Sequence, residues 1–175
     1  FTLNDIANLI QLTDVANSGN ITVNRNSAAL LRLDYTLWSS PVTNDSLYLQ
    51  AFSPATNTNR FYNYSTLTNL YTAIASPSTT KFGLGQGYLI RMPNDASSTV
   101  RTNYLGVFTG VPNNGNIPIS MINGGEGKRF NLIGNPYPSP VNVAQFVADN
   151  AANITGTLYF WRKTNNAASP SYCSW

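Results

Sequence analysis

Two stretches of this chain run from a strand-like segment straight into a proline corner, and together they restrict the fold more than any other feature. In the first, Arg32 opens a run carrying Leu33, Tyr35, Leu37 and Trp38 that ends in Ser40-Pro41-Val42. In the second, Arg129 opens a run carrying Phe130, Leu132 and Ile133 that ends in Ser139-Pro140-Val141. Proline fixes φ and removes a backbone donor, so each run leaves its hydrogen-bond ladder there. The offset between the copies far exceeds the rungs of ordinary solenoid repeats. The pattern therefore predicts two related lobes rather than a regular stack.

The intervening sequence reads as short strands punctuated by turns. Asn8–Leu12 and Ile21–Arg25 are strand candidates separated by Asn17-Ser-Gly-Asn20, and alternation puts Ile21 and Val23 on one face with Thr22 and Asn24 on the other. Arg60-Phe-Tyr-Asn-Tyr64 is an aromatic strand, with Thr66–Tyr71 as its hairpin partner. Tyr88, Ile90 and Met92 share a face opposite Leu89 and Arg91 before Pro93 stops the run. Val100–Thr109 and the alternating Ile117, Ile119 and Met121 are further strand candidates. One short helix is predicted after Pro140, capped by Asn142, with Val143, Phe146 and Val147 at i, i+3 and i+4 and Asn150 closing it. Thr157–Trp161 returns to strand.

These elements predict a mainly β protein of antiparallel, sandwich-like lobes in two related copies, with one short helix. The expected division has three parts. Residues 1–28 suit either the last rungs of a β-solenoid or edge strands; residues 29–110 form the first β lobe; residues 111–175 form a second lobe that is a truncated copy of the first.

Composition narrows the functional classes. Charged residues make up 10% of the chain against about 25% in an average soluble domain, so its polarity comes from amides and hydroxyls. The ten basic residues behind the net charge of +3 are scattered, and no basic stripe exists to neutralise successive phosphates. No nucleic-acid partner is expected. No apolar run approaches the roughly 20 residues needed to cross a bilayer, so no membrane insertion is expected.

The absence of histidine excludes a Ser-His-Asp or Cys-His arrangement within these 175 residues. Cys173 is the single cysteine, so neither an internal disulfide nor a thiolate-rich zinc site is available. None of the seven acids forms a close pair or a calcium-loop pattern, although folding is able to bring any two, such as Asp34 and Glu126, together. Gly83-Leu-Gly-Gln-Gly87 precedes a strand rather than a helix, so its glycines serve a tight turn and not a phosphate. Catalytic residues, metal and cofactor are therefore all expected to be absent.

The aromatic side chains are the remaining candidates, because sugar rings stack on them. Trp38, Phe61, Tyr62, Tyr64, Tyr159, Phe160 and Trp161 lie on predicted strands, where alternate members face opposite ways. Tyr62 and Tyr64 fall on the phase opposite Phe61 and are the better candidates for exposure. Trp161 shares a phase with Tyr159, and either that pair or Leu158 with Phe160 faces the core. Tyr62, Tyr64 and Trp161 are accordingly the candidate ligand-binding residues.

Leu33–Val42, Ala51–Pro54 with Asn59–Tyr64, Gly85–Ile90, and Asn131–Ser139 with Leu158–Trp161 resemble a recurring region of Bacteroidetes cell-surface proteins exported by the type IX secretion system. In that family such regions lie downstream of adhesin-like or solenoid portions and upstream of a C-terminal sorting domain. The resemblance implies an extracellular, surface-linked, non-catalytic role. Asp45-Ser46-Leu47 also looks like the short sequence at which these organisms attach O-glycans, which makes Ser46 the candidate modification site.

Three functions follow as expectations. The first is a surface adhesin presenting aromatic and amide side chains to glycans or a neighbouring cell. The second is a stalk or filament subunit that self-associates through β-strand edges. The third is an accessory domain of a secreted hydrolase.

Overall fold

Alternation decides which side of each strand faces inward, and in the computed structural model, which describes residues 1–162 and 171–175, that alternation builds two facing sheets. The first sheet contains β1 (Thr2–Leu3), β2 (Ile21–Asn26), β4 (Val42–Thr43) and β8 (Leu105–Pro112) in the order β1-β2-β8-β4. The second contains β3 (Tyr35–Trp38), β5 (Phe61–Ser65), β6 (Leu70–Ala73) and β7 (Tyr88–Arg91) in the order β3-β7-β5-β6. All pairings are antiparallel except the short contact of β1 with β2. The predicted class, mainly β and sandwich-like with antiparallel sheets, is the observed one.

The core lies between the sheets. In β8 the residues Gly106, Phe108 and Gly110 point inward while Leu105, Val107 and Thr109 face outward. Phe108 stands opposite Val23 in the register. From the second sheet come Trp38, Phe61, Tyr88 and Ile90, and the single-turn helix α1 (Leu49–Phe52) adds Leu49 and Phe52. Phe52 stacks on Phe108 at 4.8 Å between ring centroids and meets Trp38 edge-on at 5.1 Å. Such offset and edge-to-face pairs suit the ring quadrupoles, and each fully buried side chain contributes about 1.5–3 kcal/mol.

The two proline-ended stretches do different things. The first supplies β3, a corner at Ser40 whose Oγ donates to Val42 O at 2.6 Å, and then β4. The second forms no strand; its one ladder contact is an isolated bridge from Ile133 to Gln86. Instead it lies directly against the first copy: Ser39 Oγ donates to Asn135 O at 2.9 Å, and a Cβ at Gly134 would stand 2.1 Å from that of Ser39. Trp38 is buried in the core, whereas Tyr137 is half-buried and donates its hydroxyl to Gly115 O at 2.6 Å. Similar sequences therefore occupy dissimilar settings.

The chain divides into compact units Phe1–Ser139 and Pro140–Trp175, and the expected boundaries at 28/29 and 110/111 both fall inside the first. The reason is β8, which spans the second boundary and pairs along its length with β2 from the segment before residue 28. Asn8–Leu12 and Ile117–Met121 are irregular rather than extended pairs, because no strand lies beside them within the described residues. In the second unit α2 (Val143–Asp149) begins where predicted, with Asn142 Oδ1 accepting from Gln145 N at 3.1 Å. Strands β9 (Tyr159–Arg162) and β10 (Ser171–Ser174) pair in an antiparallel ladder, and Cys173 is a free, exposed thiol.

Candidate functional site

With Trp38, Tyr88, Ile90 and Phe61 committed to the core, the opposite face of the second sheet is fixed by register. Tyr35 pairs with Arg91, Leu37 with Leu89, Leu89 with Tyr62, and Tyr64 with Tyr71. Paired residues share a face, so Tyr35, Tyr62, Tyr64 and Tyr71 all stand on this outer surface, each half-buried. Tyr35 meets Tyr62 edge-on at 5.9 Å and Tyr64 meets Tyr71 edge-on at 5.4 Å. Tyr64 donates its hydroxyl to Asn69 Oδ1 at 2.5 Å, and Asn69 holds a left-handed φ of 56° in the turn that joins β5 to β6.

The upper end of this face carries positive charge. Arg60, the last residue of a 3₁₀ turn (Thr58–Arg60), immediately precedes Phe61, whose partner Ile90 is the neighbour of Arg91. Arg60 Nη1 donates to Tyr62 Oη at 3.2 Å, and this bond is the main reason its guanidinium is held above the ordinary range. Arg91 Nη2 donates to Asn94 Oδ1, and Asn94 Nδ2 donates in turn to Asn57 Oδ1. Burial, then the neighbouring Tyr62, pushes the Tyr35 hydroxyl up, against the opposing pull of Arg60 and Arg91. Both guanidiniums and both phenols thus share one neighbourhood.

The loop beneath β7 is held by its own chemistry. Tyr88 Oη accepts from Gly83 N at 3.0 Å and lies 2.9 Å from Gln86 Oε1, while Gly85 adopts φ +66° with Ile119 close above it. The expectation that these glycines shape a turn matches this arrangement. A separate cleft of about 360 Å³ lies in the same unit between residues 9–14, 113–116 and 137–139, lined by amides such as Gln11 and Asn113 together with Leu9, Ile10 and Tyr137.

The candidate residues fall in different places. Tyr62 and Tyr64 share the outer face of the second sheet. Trp161 belongs to the second unit, on β9, where it meets Tyr172 edge-on at 5.4 Å. Ser46 is exposed in a turn whose geometry is set by Asn44 Oδ1 accepting from Ser46 N at 2.8 Å. Asp34 and Glu126 have different surroundings: Asp34 is buried, 3.2 Å from Arg101 and accepting from Leu31 N, whereas Glu126 is exposed.

Tyr35, Tyr71, Arg60 and Arg91 join Tyr62 and Tyr64 without having been singled out as ligand-binding residues. Arg91 carries a signal in the sequence, since it lies on the phase opposite Tyr88 and Ile90. What places it beside Arg60 and Tyr35 is strand order, which local alternation does not encode.

Among the described residues no group of three His, Cys, Asp or Glu side chains is placed to hold a metal, and no helix is long and apolar enough to cross a membrane. No curated protein and no solved structure matches this chain. A family model described as "Domain of unknown function (DUF8693)" matches residues 1–174, and the chain belongs to that family.

Proposed function

We propose that this family member is a non-catalytic, extracellular surface module for adhesion, and that it binds glycans of a neighbouring cell surface through the outer face of its second sheet. The observation that carries this reading is the set of half-buried tyrosines, Tyr35, Tyr62, Tyr64 and Tyr71, gathered on one face beside amide and guanidinium donors. Sugar recognition needs flat apolar rings for the pyranose face and polar groups around them for the hydroxyls. Ser46, exposed in its turn, is the site proposed for O-glycan attachment. Screening the intact protein against a glycan array tests the reading. Tyr62→Ala is expected to weaken a captured glycan roughly fivefold to tenfold with the circular dichroism spectrum unchanged; equal binding by the variant, or no glycan captured, would count against it.

One observation favours the second reading, a subunit that self-associates by strand addition. Strand β6 lies at the end of its sheet, carries neither charge nor proline, and leaves Leu70 64% exposed. Edges of this kind accept a further strand unless charge or proline blocks them. Sedimentation velocity over a wide concentration range separates the two: large species that persist on dilution would favour assembly, and a monomer would favour the adhesin.

A further inference from the structure

Arg60 and Arg91 both act on the Tyr35 hydroxyl at one end of the outer face, and neither guanidinium has all its donors met. A guanidinium offers five N–H donors. Arg60 donates to Tyr62 Oη and also interacts with Tyr35, Arg91 donates to Asn94 Oδ1, and the Nε of each is buried with no partner. Arg91 is only 8% exposed, so solvent does not compensate it freely. Neither makes an ion pair with any described residue, in contrast to Lys81 with Asp45 and Arg101 with Asp34. A buried cation such as Arg91 without a counterion is costly. The arrangement is accounted for if an anion completes it.

We propose that Arg60 and Arg91 together receive a carboxylate of an acidic glycan, a uronic acid residue whose ring lies against Tyr62. This rests on the glycan-binding reading above and names its ligand class. A carboxylate is planar and takes paired N–H donors from a guanidinium, which suits a neighbourhood holding two of them. The hydroxyl of Tyr62 lies beside Arg60 to meet a sugar hydroxyl. Nucleic acid fits less well, because duplex binding needs cations along a line of phosphates, and the described residues place two arginines at one end of a tyrosine-lined face.

The test is calorimetric titration of the intact protein with hexamers of mannuronate and of galacturonate, each beside its carboxyl-reduced, neutral counterpart, and with a short DNA duplex. The expected result is that one uronate binds about tenfold or more tightly than its reduced form, and that Arg60→Gln removes that difference by weakening the uronate far more than the neutral glycan. Arg60→Lys is expected to restore it in part, since lysine keeps the charge but not the fork. Circular dichroism confirms that the variants fold. Equal binding of charged and neutral hexamers would overturn the ligand class and leave glycan binding standing. Binding of neither would overturn both. A duplex bound as tightly as the uronate, or Arg60→Gln without effect, would also overturn the proposal.

Discussion

Phe61 and Tyr62 are adjacent in sequence and serve opposite ends, and the distinction was legible from alternation alone. Phe61 is fully buried against the first sheet, whereas Tyr62 stands half-exposed on the other side. The two therefore respond differently to truncation. Phe61→Ala should cost about 3–5 kcal/mol of stability, the range for emptying an aromatic site in a packed core, measured by urea unfolding. A loss under about 1 kcal/mol would mean the core collapses around the gap or was never tightly packed. Arg60 was not legible in the same way. It sits outside the regular strand, and its partnership with Arg91 depends on β5 and β7 being neighbours although β6 lies between them in the chain.

At the level of elements, the helix after Pro140 follows from its asparagine cap, and the β5–β6 hairpin from local signals in part: its return strand is Leu70–Ala73 rather than the expected Thr66–Tyr71, because residues 66–69 make the turn. The second proline-ended stretch does not. Its apolar spacing matches a strand, but Gly134 packs onto Ser39, and Thr66 Oγ1 donates to Phe130 O at 2.7 Å, so the segment is anchored by single contacts instead of a ladder. Sequence similarity specifies a similar local shape; which neighbour receives it is decided by the rest of the fold. Gly134→Ala is expected to destabilise the protein by about 1–3 kcal/mol, because its Cβ would force Ser39 and the β3 corner to move. Ser39→Gly should recover part of that loss when combined with it, and additive behaviour in a double-mutant cycle would refute direct contact.

Across the whole molecule, the titration behaviour to expect lies on the alkaline side. Burial raises the hydroxyls of Tyr35, Tyr88 and Tyr104 above their ordinary value of 10.0. The unfolded chain then releases these protons first as pH rises, so their contribution is fully present below pH 10 and is lost as pH climbs through the raised folded values. The melting temperature should accordingly fall above pH 10 in step with tyrosinate absorbance. A flat profile to pH 11.5, on the order of 1.5 units past the ordinary value, would show that these phenols ionise without strain on the fold. Strand order has a second consequence, in time rather than energy. The hydroxyls of Thr22 and Thr109 touch across β2 and β8 from positions 87 residues apart. The longest ladder of the first sheet therefore cannot close until β8 follows, and β2 must wait with its hydrogen-bonding groups unmet. Pairings this distant place a domain among the slower folders, in the millisecond-to-second class. A ribosome or an export channel releasing the chain from its N-terminus would be handling an unclosed sheet until β8 emerged.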